Sequence, residues 1–180
     1  MDKRVSVVMT TYNGQKYLRE QMDSLREQTM PIDEVIIMDD CSTDCTPDLV
    51  SSYIKEHDLK DWNLVQNEQN QGWKKNFKSG FDLATCDYIF PCDQDDIWHF
   101  DKVEKMVECM ENNPKIELLA ANYNTFFSEK DNGSGSKLYA SHSKKMKKDE
   151  SIDLLGIDPK WPYINRPGCV LLHKKVLQLD

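Results

Sequence analysis

Residues 88–98 read Tyr-Ile-Phe-Pro-Cys-Asp-Gln-Asp-Asp-Ile-Trp, an apolar run that ends in a group of carboxylates. The apolar part, residues 88–92, has the composition of a buried β-strand. Asp93, Asp95 and Asp96 follow it directly, and carboxylates this close repel one another unless a positive charge lies between them. Two interpretations stand. The residues hold a hard divalent cation, which typically arrives with substrate phosphates, or they form a solvated acidic turn that caps the next helix.

Strands and helices alternate on both sides of this stretch. Short apolar, β-branched runs predict further strands at residues 5–9, 35–38, 63–66 and 118–123. Apolar residues at helical spacing predict helices over residues 17–25, 46–54, 73–81 and 101–110. Thr46 with Pro47 is typical of a hydroxyl-capped helix start, and Asp101 with Glu104 is typical of a capping box. The alternation predicts an α/β fold with a mostly parallel, doubly wound sheet flanked by helices.

Polar residues follow three of the predicted strands directly. Thr10 and Tyr12 come after the first strand, Asp40 closes the second, and residues 93–96 close the fourth. In open α/β sheets, ligands bind at the carboxyl ends of the strands, where the strand order reverses. The three groups should therefore converge on one edge of the sheet.

Several of these residues have both a ligand-binding and a purely structural interpretation. Asp40 could accept the imide N–H of a pyrimidine base, or it could be a turn or cap residue. Tyr12 could present its ring to a base, or it could lie partly buried against the first helix. Gly72 opens a helix whose free N–H groups favour anions, and Lys75 could add charge against a phosphate or remain solvated.

Composition excludes several classes of protein. The chain has 180 residues and a net charge of −8, which argues against a general nucleic-acid-binding surface. No P-loop and no Gly-x-Gly-x-x-Gly occurs, so kinase-like and dinucleotide-binding interpretations lose their main support. No apolar run approaches a membrane span, and the N-terminus runs straight into a strand, so we expect a cytoplasmic protein. The six cysteines lack zinc spacing and predict reduced core residues.

Four segments together resemble the family 2 inverting glycosyltransferases of the GT-A fold. They are Val5-Ser-Val-Val-Met-Thr-Thr-Tyr-Asn-Gly14, then Gln28-Thr with Val35-Ile-Ile-Met-Asp-Asp-Cys-Ser-Thr-Asp44, then residues 67–72, and the Asp-Gln-Asp-Asp-Ile-Trp segment. The last segment looks most like the bacterial rhamnosyltransferase-type branch. Arg166-Pro-Gly-Cys169 resembles a segment near the acceptor side of the family. Each motif alone is weak, but their shared order and spacing are specific.

The resemblance implies a role for each matching position. Thr10, Tyr12 and Asp40 would hold the nucleoside of a nucleoside-diphosphate sugar, either UDP- or dTDP-linked. Asp93 and Asp95 would be the Asp-x-Asp pair, with Asp95 the main ligand of Mg²⁺ or Mn²⁺ and Asp93 nearer the ribose or the metal. Asp96 is the less certain third carboxylate. The metal would neutralise the leaving diphosphate.

The resemblance also divides the chain into three segments. Residues 1–127 would form the nucleotide-sugar-binding core, residues 128–160 a mobile polar and basic excursion, and residues 161–180 the start of an acceptor-side half that is cut short. The general base of an inverting transfer would lie beyond Asp180, which is itself a poor match. The basic residues 144–148 permit contact with the inner face of the membrane, or they belong to a solvated loop.

The leading functional hypothesis is a glycosyltransferase with a saccharide or lipid-linked acceptor, acting in cell-surface polysaccharide assembly. The first alternative is a non-catalytic module that binds nucleotide and metal. A weaker alternative is a nucleotidyltransferase, which would want a glycine-rich basic loop that Thr10 to Gly14 lack. The oligomeric state is left open.

Overall fold

The computed structural model of the protein describes residues 4–121 and 170–173, which form one six-stranded sheet with four helices. The first half consists of β1 (Val5–Thr11), α1 (Leu18–Arg26), β2 (Glu34–Asp39), α2 (Thr46–Glu56) and β3 (Trp62–Gln66). The second half consists of α3 (Trp73–Leu83), β4 (Tyr88–Asp93), α4 (Lys102–Asn112), β5 (Leu118–Ala120) and β6 (Val170–His173). Each predicted strand and helix is present, with ends shifted by a few residues.

The strand order is β3-β2-β1-β4-β6-β5. Strands β3, β2, β1 and β4 are parallel, whereas β6 runs antiparallel to both of its neighbours, β4 and β5. The chain builds outward from β1 to β3 in one direction and then returns to place β4 on the other side of β1. The order therefore reverses between β1 and β4, and the prediction of a mostly parallel, doubly wound sheet is confirmed.

Side chains on alternate residues of the central strands separate two cores. Val7 and Met9 of β1 pack into the larger core with helices α1, α2 and α4, while Val8 packs into the smaller core under α3. The same alternation runs through β2 and β4, because successive strand residues point to opposite faces of a sheet. Both faces are covered, which explains why these strands are almost continuously apolar in sequence.

Helix α3 lies unusually close to the sheet at Gly80. A Cβ atom built on Gly80 would lie 2.3 Å from Cγ1 of Val8 and 3.0 Å from Cγ of Met38. A side chain at this position would push the helix outward. Gly80 therefore sets the separation between α3 and the strands that it covers.

Two predicted helix caps are wrong, although the helices begin where expected. Helix α2 has Cys45 at its N-cap, and the Thr46 hydroxyl accepts the N–H of Gly14 at 2.8 Å instead of capping its own helix. Asp101 is the N-cap residue of α4 but makes no capping hydrogen bond, because its carboxylate contacts Lys105 and His99. In both cases a tertiary or side-chain partner competes for the predicted capping oxygen.

The described cysteines depart from the expectation of uniform burial. Cys86 and Cys92 are buried, but Cys41 and Cys109 are half-buried and Cys45 is exposed. None of these five is in a disulfide bond, and their reduced state stays a prediction. Within the ranges 4–121 and 170–173, no helix has the length and apolarity to cross a bilayer.

Strand β6 shows how residues 161–180 relate to the rest of the chain. It inserts between β4 and β5 and pairs Ile89 with Leu172. At least one strand of this segment therefore belongs to the same sheet as the predicted core. The predicted excursion at residues 128–160, including the basic residues 144–148, lies outside the described residues, and the three domain boundaries stay predictions.

Candidate functional site

A cleft with a volume of about 430 Å³ opens at the carboxyl ends of β1, β2 and β4, where the strand order reverses. It brings together these predicted residues: Thr10, Tyr12, Asp40, Gly72, Asp93 and Asp95. Lys75 is not in its lining and lies exposed on α3, and Asp96 is half-buried outside the lining. The convergence predicted from the strand ends is therefore present for all three polar groups.

Asp40 lies at the base of the cleft, where its carboxylate holds the start of α3. One oxygen, Oδ1, accepts the backbone N–H of Gln71 at 2.8 Å and the side-chain amide of Asn67 at 2.9 Å. The other oxygen, Oδ2, accepts the N–H of Gly72 at 2.8 Å. Only 3% of Asp40 is exposed. The structural interpretation of Asp40 is correct in part, but the segment that it caps is the distant start of α3.

Asparagine side chains extend this network into the sheet. Asn67 also donates to Oδ1 of Asn76 at 2.9 Å, and Asn76 donates to the carbonyl oxygen of Met38 at 2.8 Å. Gly72, the N-cap of α3, has a φ of +83°, a conformation that glycine adopts without strain. The helix start is thus tied to the end of β2 through a buried polar chain.

Tyr12 lies in the β1–α1 loop, which is anchored to the β2–α2 loop on one side. The N–H of Asn13 donates to Oγ of Ser42 at 2.9 Å, and Oδ1 of Asn13 accepts the N–H of Thr43 at 2.8 Å. Tyr12 lines the cleft, and 47% of the residue is exposed there. The ring is therefore available to a ligand in the cleft, as the ligand-binding interpretation requires.

Gln94 holds the same loop from the opposite side. Its Oε1 accepts the N–H of Tyr12 at 2.9 Å, and its Nε2 donates to the carbonyl oxygen of Tyr12 at 3.2 Å. Gln94 lies between Asp93 and Asp95 in sequence and lines the cleft with them. The loop that carries the carboxylates is therefore joined directly to the loop that carries the aromatic ring.

Asp93 and Asp95 supply the donor set expected for a hard divalent cation. Both carboxylates line the cleft; Asp95 is exposed and Asp93 is half-buried. Oxygen ligands of this kind suit Mg²⁺ or Mn²⁺. In the described part of the chain, no group of three His, Cys, Asp or Glu side chains forms a ready metal cage. The residues present therefore fit a cation that takes its remaining ligands from a phosphate-bearing substrate and water.

Cys92 lies directly behind the carboxylates and is not a candidate nucleophile. Burial raises the pKa of its thiol well above the usual value, and the charges of Asp96 and Asp93 raise this pKa further, while Lys102 lowers it. The thiol therefore stays protonated at neutral pH. It donates to the carbonyl oxygen of Asp93 and accepts from Gln21, so its role is to support the end of β4.

Some lining residues were given no individual role by the sequence analysis. They are Thr11, Asn70, Trp73, Asn76 and Gln94. Trp73 is the first residue of α3, and 63% of it is exposed at the cleft. Gln94 lies between the two predicted metal ligands in sequence, and that position is the one sequence signal that indicates a place for it in the cleft lining.

Comparison with known proteins agrees with this geometry. A family model described as glycosyl transferase family 2 matches residues 6–178. The chain is 36% identical over 106 residues to the putative teichuronic acid biosynthesis glycosyltransferase TuaG of Bacillus subtilis (strain 168), covering 59% of this chain and 41% of the relative. It is 34% identical over 105 residues to the dTDP-rhamnosyl transferase RfbG of Shigella flexneri, covering 57% of this chain and 36% of the relative. The chain thus spans about two fifths of these relatives.

Solved structures confirm the predicted GT-A fold. S. aureus TarS 1-349 in complex with UDP superposes with a TM-score of 0.73 at 23% identity, covering 97% of this chain and 48% of that fragment. The mannosyltransferase PcManGT from Pyrobaculum calidifontis, in complex with GDP-Man and Mn²⁺, superposes with a TM-score of 0.65 at 26% identity, covering 69% of this chain and 36% of that protein.

Proposed function

The chain belongs to glycosyl transferase family 2, and from that premise we propose that it transfers a sugar from a nucleoside-diphosphate sugar to a saccharide or lipid-linked acceptor with inversion. The proposed setting is the assembly of a cell-surface polysaccharide. The family match argues against the nucleotidyltransferase alternative. The observation that carries the proposal is the cleft where the strand order reverses, which gathers Tyr12, Asp40, Asp93 and Asp95.

The nucleoside end of the donor is proposed to lie over Asp40. A carboxylate has about four lone-pair positions, and the hydrogen bonds to Asp40 come from Gln71, Gly72 and Asn67. A remaining position can accept the imide N–H of a pyrimidine base. Tyr12, exposed at the same cleft, can place its ring against that base. Thr10 completes this end of the proposed donor site.

The diphosphate end is proposed to lie at Asp93 and Asp95. These side chains would hold Mg²⁺ or Mn²⁺, which when bound supplies positive charge against the leaving diphosphate. At the opposite wall, the first turn of α3 has free backbone N–H groups that favour an anion. Gly72 lines the cleft at this helix start, but its own N–H already donates to Oδ2 of Asp40, so the N–H groups that follow Gly72 would meet the anion, and the Lys75 side chain lies outside the lining.

The identity of the donor is proposed from the relatives. TarS was solved with UDP, PcManGT with GDP-Man and Mn²⁺, and RfbG is named a dTDP-rhamnosyl transferase. A carboxylate acceptor for an imide N–H favours the pyrimidine bases of UDP and dTDP. We therefore propose a UDP- or dTDP-linked sugar for this chain.

Further predictions from the sequence concern features that the described residues do not test. The acceptor is expected on the side of residues 161–180. The protein is expected in the cytoplasm, where the basic residues 144–148 would permit contact with the inner face of the membrane or belong to a solvated loop.

A titration of thermal stability tests the donor site. The chain is titrated with UDP, dTDP and GDP, each with and without Mn²⁺. A ligand at about 100 times its dissociation constant should add about 2.7 kcal/mol to the free energy of unfolding. We expect UDP or dTDP to stabilise the chain in a metal-dependent way, and Asp95→Ala to abolish the metal dependence.

Asp82→Ala is the matched control, because Asp82 is exposed on α3 away from the cleft lining. It should leave both nucleotide and metal responses unchanged. The absence of any nucleotide effect in the unaltered chain would contradict the proposed donor site. Nucleotide binding without donor turnover, measured as release of UDP from a UDP-sugar, would favour the non-catalytic binding module.

A further inference from the structure

We propose that Gln94 is a positioning residue that couples the carboxylate loop after β4 to the aromatic loop after β1, so that divalent cation and nucleotide bind cooperatively. The inference rests on the proposed function, since it assigns the metal to Asp93 and Asp95 and the nucleoside to Tyr12. It goes beyond that function by naming the physical link between the two halves of the donor site.

The link consists of paired hydrogen bonds between one side chain and one backbone residue. Gln94 accepts from the N–H of Tyr12 at 2.9 Å and donates to its carbonyl oxygen at 3.2 Å. These contacts join residues 82 positions apart in the sequence. Because both backbone groups of Tyr12 are held by the same amide, a shift of Gln94 must shift the Tyr12 backbone.

Close packing leaves the amide little freedom to move. A Cβ atom built on Gly14 would lie 2.2 Å from Oε1 of Gln94 and 2.6 Å from its Cδ. Gly14 is itself buried, and its N–H donates to Thr46 at 2.8 Å. The Gln94 carboxamide therefore lies flat against the backbone of the β1–α1 loop, and the glycine is what permits this approach.

A carboxamide is the side-chain group that this arrangement requires. It offers an acceptor oxygen and a donor nitrogen on one planar group, whereas a carboxylate offers acceptors alone. A glutamate here would set an oxygen against the Tyr12 carbonyl and add a negative charge between Asp93 and Asp95. A leucine of similar size would make neither bond.

Coupling follows from the position of Gln94 between the two predicted metal ligands. A cation held by Asp93 and Asp95 restricts the backbone on both sides of Gln94, which restricts the amide that holds Tyr12. When Tyr12 is already ordered, nucleotide binding costs the protein less conformational entropy. By thermodynamic linkage the nucleotide must then strengthen cation binding by the same factor.

The experiment measures UDP and dTDP affinity by calorimetry, with Mn²⁺ and with a chelator, in the unaltered chain, in Gln94→Leu and in Gly14→Ala. The readout is the dissociation constant with chelator divided by that with Mn²⁺, which gives the factor by which the metal strengthens nucleotide binding. A general loss of stability does not change this ratio. Loss of the paired bonds should reduce this ratio about three- to tenfold, the equivalent of one net hydrogen bond. Gly14→Ala should reproduce the effect, because it displaces the amide without changing its chemistry.

Gln28→Leu is the matched control. Gln28 also bridges separate segments, donating to the carbonyl oxygens of Ser24 and His99 and accepting from the N–H of Val103. It does not line the cleft, so its loss should lower stability and leave the ratio unchanged. Exchange of the Tyr12 amide hydrogen, followed by NMR, is the second readout and should accelerate in Gln94→Leu but not in Gln28→Leu.

The outcomes separate the inference from the proposed function. Metal-dependent nucleotide binding with the same ratio in Gln94→Leu would overturn the coupling and leave the donor site standing. Unchanged exchange of the Tyr12 amide in that variant would overturn the positioning role. Failure of the unaltered chain to bind either nucleotide would overturn the proposed function and, with it, this inference.

Discussion

Replacement of Asp40 by asparagine should destabilise the whole protein, because the Asp40 carboxylate holds the start of α3. Asparagine has nearly the same shape, but it presents one acceptor oxygen and one donor nitrogen. If its oxygen keeps the bonds from Gln71 and Asn67, its nitrogen faces the N–H of Gly72, which then keeps only its longer bond to Oδ1 of Asn70 at 3.2 Å. The residue is 3% exposed, so water can replace the lost partner only poorly.

The size of the effect follows from these contacts. A hydrogen bond to a charged group contributes about 1.5–3 kcal/mol and a neutral one about 0.5–1.5 kcal/mol, so the two retained bonds each lose about 1 kcal/mol. The N–H of Gly72 loses its bond to a charged acceptor but keeps the longer one to Asn70, so it adds about 1 kcal/mol, the low end of the penalty for a lost buried partner. We therefore expect Asp40→Asn to lower the free energy of unfolding by about 3 kcal/mol. With a urea m-value of about 2 kcal/mol/M, the unfolding midpoint should fall by about 1.5 M.

Urea unfolding followed by circular dichroism measures this change without any ligand. Asp58→Asn is the matched control, since Asp58 is exposed and its change should stay within about 0.5 kcal/mol. The slope of the transition should be unchanged in both variants. A loss below about 1 kcal/mol in Asp40→Asn would refute the reasoning, because the carboxylate would then not be what anchors α3.

Two further predictions concern the core and the pH dependence of stability. Gly80→Ala should lower stability by about 1–3 kcal/mol through overpacking against Val8, whereas Ser79→Ala, one position away, should change it little; thermal unfolding of both variants measures the difference. Burial and the hydrogen bond to Asp23 raise the pKa of Tyr53 to about 12, from the ordinary value of 10.0. The folded state therefore holds the phenol proton more tightly than the unfolded chain does, so this stability is complete below about pH 10 and is lost as pH rises toward 12. Urea unfolding at several alkaline pH values should show a smaller loss in Tyr53→Phe than in the unaltered chain, and an equal loss would contradict the assignment.

The secondary structure and the location of the site could be predicted from local sequence. Valine-rich and isoleucine-rich runs such as residues 35–38 are buried on both faces, and a continuous apolar run is the direct consequence of that burial. The position of Asp93 and Asp95 after such a run placed them at a strand end. Because the carboxyl ends of parallel strands share one edge, that placement was enough to predict the cleft.

The partners of each side chain could not be predicted in this way. Thr46 and Asp101 have the residue types of helix caps, yet a distant backbone N–H and a neighbouring lysine take their oxygens. Trp73 is a large aromatic residue at the start of a helix that covers the sheet, yet 63% of it is exposed at the cleft. The partner and the exposure of each side chain depend on which loops lie next to each other in the folded protein. Local sequence patterns do not contain that information.

The sequence by itself determined the alternation of strands and helices, the two apolar faces of the sheet and the strand ends that carry the polar residues, because periodicity and burial act over a few neighbouring residues. Only the tertiary structure decided the strand order and the insertion of antiparallel β6 between β4 and β5. It also decided the hydrogen bonds of Asp40 to the start of α3 and those of Gln94 to the Tyr12 backbone. These contacts join residues about 30 to 80 positions apart. Their physical basis is the close approach of separate loops at one sheet edge, where each donor and acceptor is satisfied by whichever partner the fold brings near.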